Sequence, residues 1–360
     1  MTETVRPTFA SAYRRDANNF DFLRFVLAAM VIWSHCFPLS GRTMDWFYAA
    51  SGQIDGGSLA VDCFFVLSGF LITQSWLAQP RVSAYARKRA LRILPAMVAA
   101  LAFGALLIGP FVVGIPVGEY LSSRAPWLHF LGVAMHRYLA VPPLFADNPL
   151  PFLLNAPLWS LRYELLCYAL VPVLVAGGGR LRMLASLVLF AACWLYCLAH
   201  PGGETVAAMF ARLLGCFVAG AILYMARERV PYSGNLAVVA TAVLALTFFT
   251  TGFRAVFPVA GSYLLLFVAF SSRLPLHHFA RHGDVSYGLY VFAYPIQQAV
   301  VWLLGPEMSV AFFFAIAFAA ALLVAGLSWR FVEAPALARK KRASVAFSPV
   351  VCGDEKALSA

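Results

Sequence analysis

Residues 20–39 read FDFLRFVLAAMVIWSHCFPL, an apolar run that nonetheless carries Asp21, Arg24 and His35. About 20 apolar residues are what a helix needs to cross a bilayer. In hydrocarbon the backbone must satisfy its own polar groups, so such a run can only be a helix. Comparable runs recur at roughly 58–78, 93–114, 157–176, 181–200, 206–226, 234–251, 255–271, 284–304 and 309–332. The expectation is an all-α polytopic membrane protein, a bundle of about ten transmembrane helices. It divides into an N-terminal segment 1–19, a membrane domain 20–332 and a basic tail 333–360. Only 12% of the residues are charged, about half the share usual in soluble domains.

The net charge of +11 suggests nucleic acid only until its distribution is read. With the N-terminus placed in the cytoplasm, most of the 27 Lys and Arg fall in the cytoplasmic segments, as the positive-inside rule requires. An even number of spans then puts both termini in the cytoplasm. The run RKKR at 339–342 reads as a membrane-surface anchor rather than a nucleic-acid patch. No cleavable signal peptide is expected, because the first apolar run carries charge and no small-residue cleavage site follows it. Six of the seven cysteines lie in apolar runs and none has zinc-ligand spacing. They read as packing residues, and no metal is expected.

Ionisable groups are costly in lipid and mark functional sites by default. Arg24 and His35 are eleven residues apart, about three helical turns, so they share a face roughly 16 Å apart along the axis. Depth sorts the remaining polar groups into two layers. His35, Asp62 and Glu164 are expected at one level towards the outside, a base with candidate orienting carboxylates for taking a proton from a hydroxyl. Asp21, Arg24, Arg87, Lys88, Arg89 and Arg92 lie towards the cytoplasm. Arg89 and Arg92 share a face if a helix starts there, as Pro95 at an early helical position suggests. Paired guanidinium forks suit phosphate. A phosphate site within and a histidine site without would fit one long ligand of coenzyme A's shape.

Plainer readings accompany each feature. Arg24 could snorkel or be neutralised by Asp21. The cluster at 81–92 could be only a positive-inside topology signal. FFVLSGF could be only a close helix contact, since Ser and Gly let backbones approach. The long segment 115–156, with Trp127, His129, His136 and Tyr138, is long enough to be functional.

Taken together, FDFLRFVLAAMVIWSH, VDCFFVLSGFLI, RKRALRILP, WSLRYE, SYGLYVFAYPI and WRFVEAP resemble the acyltransferase 3 family of integral membrane acyltransferases, over roughly residues 19–335. The resemblance implies transfer of an acyl group, often acetyl, from acyl-CoA to a hydroxyl of a glycan or lipid-linked sugar. It implies His35 as the catalytic histidine, with Arg24 as its paired basic residue. Arg89 and Arg92 match the family's arginine pair, a candidate for donor phosphate. Glu164 matches the acid of WSL-x-x-E, and Ser68 with Gly69 matches the FFVLSGF turn. Family members often carry His where this chain has Ala293.

The resulting expectation is an O-acyltransferase of the cytoplasmic (inner) membrane. Its catalytic residues are His35 with Asp62 or Glu164 as orienter, and its donor site is Arg24, Arg89, Arg92 and Ser68. Tyr290, Tyr294 and the 115–156 segment would meet the acceptor. The partners are membrane lipids and a glycan or lipid-linked sugar, not nucleic acid. The alternative is a transporter or flippase of a lipid-linked sugar, which would show inverted repeats. No repeat of the Arg-to-His spacing is found in the later spans.

Overall fold

The computed structural model describes residues 7–132, 144–201, 205–274 and 276–345. His136, Tyr138 and the last part of the basic tail lie outside them. No strand occurs among the described residues, only an isolated bridge between Thr8 and Pro231. The main helices are α1 (Phe20–Leu39), α2 (Gly56–Ala78), α3 (Val82–Ala102), α4 (Trp159–Leu174), α5 (Gly179–Ala199), α6 (Val206–Met225), α7 (Gly234–Phe249), α8 (Ser262–Ala269), α9 (Ser286–Leu304) and α10 (Val310–Ser328). π-helical turns at Phe103–Ile108, Phe257–Gly261 and Trp329–Glu333 extend α3, lead into α8 and extend α10. Among the described residues six helical rods are long and apolar enough to cross a membrane: α1, α2, Val82–Val112, α5, α6 and Val310–Arg339. Gly234–Phe249 and Phe253–Ala269 are shorter apolar helices. The chain is a multi-pass membrane protein.

Two helices outrun their apolar stretches. α3 begins at Val82 rather than near 93, so Arg87 to Arg92 lie inside the helix and Pro95 well within it. The final rod likewise continues past 332 to Val345. Hydropathy marks where lipid ends, whereas a helix can project further into water. The N-terminal segment is packed rather than free. Phe9 is fully buried, with the rings of Tyr263 and Phe270 at 5.1 and 5.3 Å. Asn19 Nδ2 donates to Val268 O and Ser271 O at the end of α8.

α2 runs through the core, packed against α1, α4 and α6. Its closest neighbour is α6, and two glycines permit the approach. A Cβ on Gly69 would sit 1.9 Å from Phe217 O, and one on Gly220 would sit 2.1 Å from Val66 O. Without a hydrophobic driving force between helices in lipid, such small-residue contacts carry the packing.

Prolines inside α4 and α9 are compensated from neighbouring segments. Pro172 and Pro295 lack the N–H that would bond Tyr168 O and Val291 O, four residues back. Tyr85 Oη on α3 donates to Tyr168 O (2.8 Å), and Asn155 Nδ2 donates to Val291 O (2.8 Å).

The described part of the 115–156 segment folds over the end of the α3 rod. Tyr120 Oη donates to Ala105 O (2.9 Å), and Leu144, Phe145 and Leu154 join Tyr120 in a small satellite core. Asn148 Nδ2 donates to Gln298 O and Oε1, and Gln298 Nε2 donates back to Leu150 O and Leu153 O. His129, in the short helix Ala125–Gly132, is buried, and burial lowers its pKa from the ordinary 6.5 to about 4.

Gly69→Ala should cost about 3 kcal/mol or more, because the obstacle is backbone. Gly326→Ala, whose Cβ meets nothing within 4 Å, should be neutral or better. Thermal unfolding in detergent compares the two. For His129, a depressed folded value means its stability contribution is complete above pH 6.5 and is lost as pH falls towards 4. The loss reaches at most about 3 kcal/mol. Proteolysis of the Ala125–Gly132 region should accelerate over that window and lose the dependence in His129→Leu.

Candidate active site

A cavity of about 130 Å³ opens between α1, α2, α3, α4 and α9, and Arg24, Ser68, Arg89, Arg92, Glu164 and Tyr287 are among the residues lining it. Each helix supplies one face of the site. Arg24 lies in the second turn of α1, while Arg89 and Arg92 are adjacent on α3 because residues three apart share a helix face. Ser68 is turned into the cavity from mid-α2, where its neighbour Gly69 abuts α6.

The three arginines differ in their partners. Arg24 Nη1 is 2.9 Å from Asp21 Oδ1 and 3.9 Å from Asp284 Oδ2. Arg92 pairs with Asp284 and, at 3.8 Å, with Glu333 Oε2. The π-helical turn Trp329–Glu333 places this buried glutamate. Asp284 lies just before α9, where it also accepts from Ser286 N (3.1 Å). Burial alone would raise the pKa of Asp284, but Arg92 and Arg24 hold it below the ordinary value. Arg89 has no carboxylate within 4 Å among the described residues. Its guanidinium lies 6.0 Å from the Tyr168 ring, and its Nε is buried without a hydrogen-bond partner. Arg89 is therefore the cavity's uncommitted cation. The acids around Arg24 and Arg92 orient those two and offset their charge.

Glu164 accepts from Ser68 Oγ (3.1 Å) and from Tyr168 Oη. One turn apart on α9, Tyr287 and Tyr290 line the same cavity. Tyr287 Oη donates to Ile93 O (3.0 Å), and Tyr290 Oη donates to Pro157 O (3.0 Å). Tyr294, a further turn along, meets the His35 ring edge-on at 5.3 Å. Four residues rise about 6 Å in a helix, so the α9 tyrosines step from the cavity to the histidine. His35 is half-buried and makes no hydrogen bond among the described residues.

The carboxylates nearest this level of α1 are Asp45 and Asp55, both accepting from Oγ of Ser34, the residue before His35, at 2.6 and 3.4 Å. Asp45 caps the short helix Trp46–Ser51 through Tyr48 N (3.0 Å), and its Oδ2 accepts from Ser34 Oγ and Gly56 N, both at 2.6 Å. Asp55 caps α2 through Ser58 N (2.7 Å).

The structure thus brings Arg24, Ser68, Arg89, Arg92 and Glu164 together and places His35 beyond them. It does not group His35 with Asp62 and Glu164. Glu164 belongs to the arginine cavity, because its face of α4 turns towards α2 and α3. Asp62 is buried against Arg212 of α6, with Oδ1 3.4 Å from Nε. Depth along a sequence fixes a level but not a facing neighbour. Asp45, Asp55, Asp284 and Tyr168 went unnoticed. The first two carry a local signal, an Asp directly before a helical run, but that signal reads as a cap. Among the described residues no three His, Cys, Asp or Glu side chains converge as metal ligands.

The acyltransferase 3 model, described as an acyltransferase domain, matches residues 18–330. An O-acetyl transferase of Shigella phage Sf6 is 26% identical over 337 residues, covering 90% of this chain and 97% of the relative. Nodulation protein 10 of Rhizobium leguminosarum bv. viciae is 25% identical over 368 residues, covering 89% and 93%. No solved structure matches the chain.

Arg92→Ala should destabilise the protein by about 2–3 kcal/mol, since it leaves the buried Glu333 without its cation and Asp284 with only the more distant Arg24. Arg89→Ala, which orphans no carboxylate, should cost under about 1 kcal/mol. Thermal unfolding of both variants in detergent checks the contrast.

Proposed function

The chain belongs to the acyltransferase 3 family, and we propose that it is an O-acetyltransferase of the cytoplasmic (inner) membrane. It moves an acetyl group from acetyl-CoA to a hydroxyl of an envelope or secreted glycan or a lipid-linked sugar. The observation that carries the reading is the continuity of one helix. α1 sets Arg24 in the arginine cavity and, about three turns on, His35 at the end of the α9 tyrosine ladder. The relative named O-acetyl transferase supports the choice of oxygen as acceptor and acetyl as the group.

In this reading all ten main helices cross the membrane, with α8 crossing as Phe253–Ala269, and both termini and the basic end of the cavity are cytoplasmic. The donor's phosphates engage Arg89 first, with Arg24 and Arg92 held ready by their carboxylates. Ser68 and Glu164 line the route of the donor's arm. Beyond them the thioester meets the acceptor at His35. The imidazole takes the proton from the acceptor hydroxyl, and the oxygen attacks the thioester carbonyl. The new C–O bond forms, the C–S bond breaks, and the leaving thiolate takes up the proton. Asp55 and Asp45 supply the negative field that favours the transient imidazolium, a role the sequence suggested for Asp62 or Glu164. Asp62 instead holds Arg212.

Radiolabelled acetyl-CoA and an envelope-glycan extract, added to membranes containing the full chain, test the reading. His35→Ala should lower label transfer by about 100-fold or more while leaving membrane insertion intact. Full transfer by that variant would sink the assignment.

A further inference from the structure

Gln53 joins the segment before α2 to the corner between α7 and α8. Its Nε2 donates to Thr247 O (2.8 Å) and Phe248 O (3.2 Å), and its Oε1 accepts from Phe253 N (2.9 Å). This link brings Asp55, two residues after Gln53, close to Arg254, the residue after Phe253. On its other side Asp55 Oδ1 accepts from Ser34 Oγ (3.4 Å), the residue before His35 on α1. The neighbouring charges, Arg212 and Asp62, face each other at 3.4 Å and are both largely buried. Arg254 differs. It is exposed, and among the described residues it has no hydrogen bond and no carboxylate within 4 Å. Asp55 spends Oδ1 on the α2 cap, and a carboxylate retains further acceptor capacity beyond one such bond.

We propose that Asp55 and Arg254 form an acceptor subsite for neighbouring sugar hydroxyls, beside His35. A hydroxyl both donates and accepts. A carboxylate can only accept and a guanidinium can only donate, so the two together hold a vicinal diol in one orientation. Their charges cancel, and the buried Asp62–Arg212 pair next to them is neutral as well. The subsite is therefore suited to uncharged sugar hydroxyls rather than to an anion. It lies where the start of α2 meets the α7–α8 corner, with Asp55 against Ser34 of α1, the residue before His35. The sequence placed acceptor recognition elsewhere, on the 115–156 segment and the α9 tyrosines. Tyr290 and Tyr294 are engaged with Pro157 and His35 respectively.

The inference rests on the transferase reading, and the test separates the two. Asp55→Asn keeps the helix cap, because asparagine caps as well as aspartate, and removes the charge. Arg254→Gln removes the other half. The full chain in membranes is assayed with radiolabelled acetyl-CoA while the envelope-glycan extract is titrated. Both variants should raise the half-saturating extract concentration about 10-fold or more, the worth of one hydrogen bond to a charged group. Asp55→Asn, which also loses the field at His35, should lower the maximal rate besides, whereas Arg254→Gln should not. The half-saturating acetyl-CoA concentration should stay unchanged. Transfer with an unshifted extract titration in both variants, or an equal shift for acetyl-CoA, would overturn the subsite and leave the transferase reading standing. No transfer by the unaltered protein would overturn the transferase reading, and the subsite with it.

Discussion

The backbone contact between α2 and α6 sets the position of everything around it. Gly69 and Gly220 let each helix lay a carbonyl where the other would carry a Cβ. Helices held this closely cannot rotate about their axes without a clash. The azimuth of α2 is therefore fixed, and with it the direction of every polar group it bears. Ser68 faces the cavity, Asp62 faces Arg212, and the Asp55 end reaches towards α1 and His35. In an apolar solvent, close packing of this kind replaces the hydrophobic effect as the source of a unique arrangement.

The polar groups hung on this frame differ in how far they are committed. Arg24 and Arg92 share Asp21, Asp284 and Glu333, which join α1, α3, the start of α9 and the π-helical turn of the last rod into one network. Such a network holds guanidinium groups in place at a cost in free charge. Arg89 and Arg254 stand outside it, one in the cavity and the other at the α7–α8 corner beside the start of α2. The two uncommitted cations mark the ends of the path along which a donor and an acceptor would meet.

The helical class was legible from the length and repetition of apolar runs alone. So was the gathering of Arg24, Arg89 and Arg92, because three like charges at one depth on two helices have few ways to avoid one another. The neighbours of the acids were not legible. Asp62 and Glu164 lie at depths the sequence reveals, but the helix Asp62 faces depends on the rotation of α2 set by Gly69 and Gly220, which have no signature beyond small size, and the helix Glu164 faces depends on the rotation of α4. Asp45 and Asp55 were masked by a second role, since an aspartate before a helix is already explained as its cap. The start of α3 was misplaced for a different reason. Arg87 to Arg92 interrupt hydropathy without interrupting the helix.

The prolines of α4 and α9 bear on how the chain is made. Each leaves a carbonyl that lipid cannot satisfy, a deficit of several kcal/mol while it lasts. The side chains that satisfy them, Tyr85 for Tyr168 O and Asn155 for Val291 O, both come earlier in the chain than the helix they serve. Synthesis runs from the N-terminus, so each donor has left the ribosome before the helix that needs it. The two helices can then dock on entering the bilayer with a donor already at hand for each freed carbonyl. Moving Tyr85 or Asn155 to the far side of its proline, as a circular permutation would, preserves every contact of the finished fold but reverses that order of assembly.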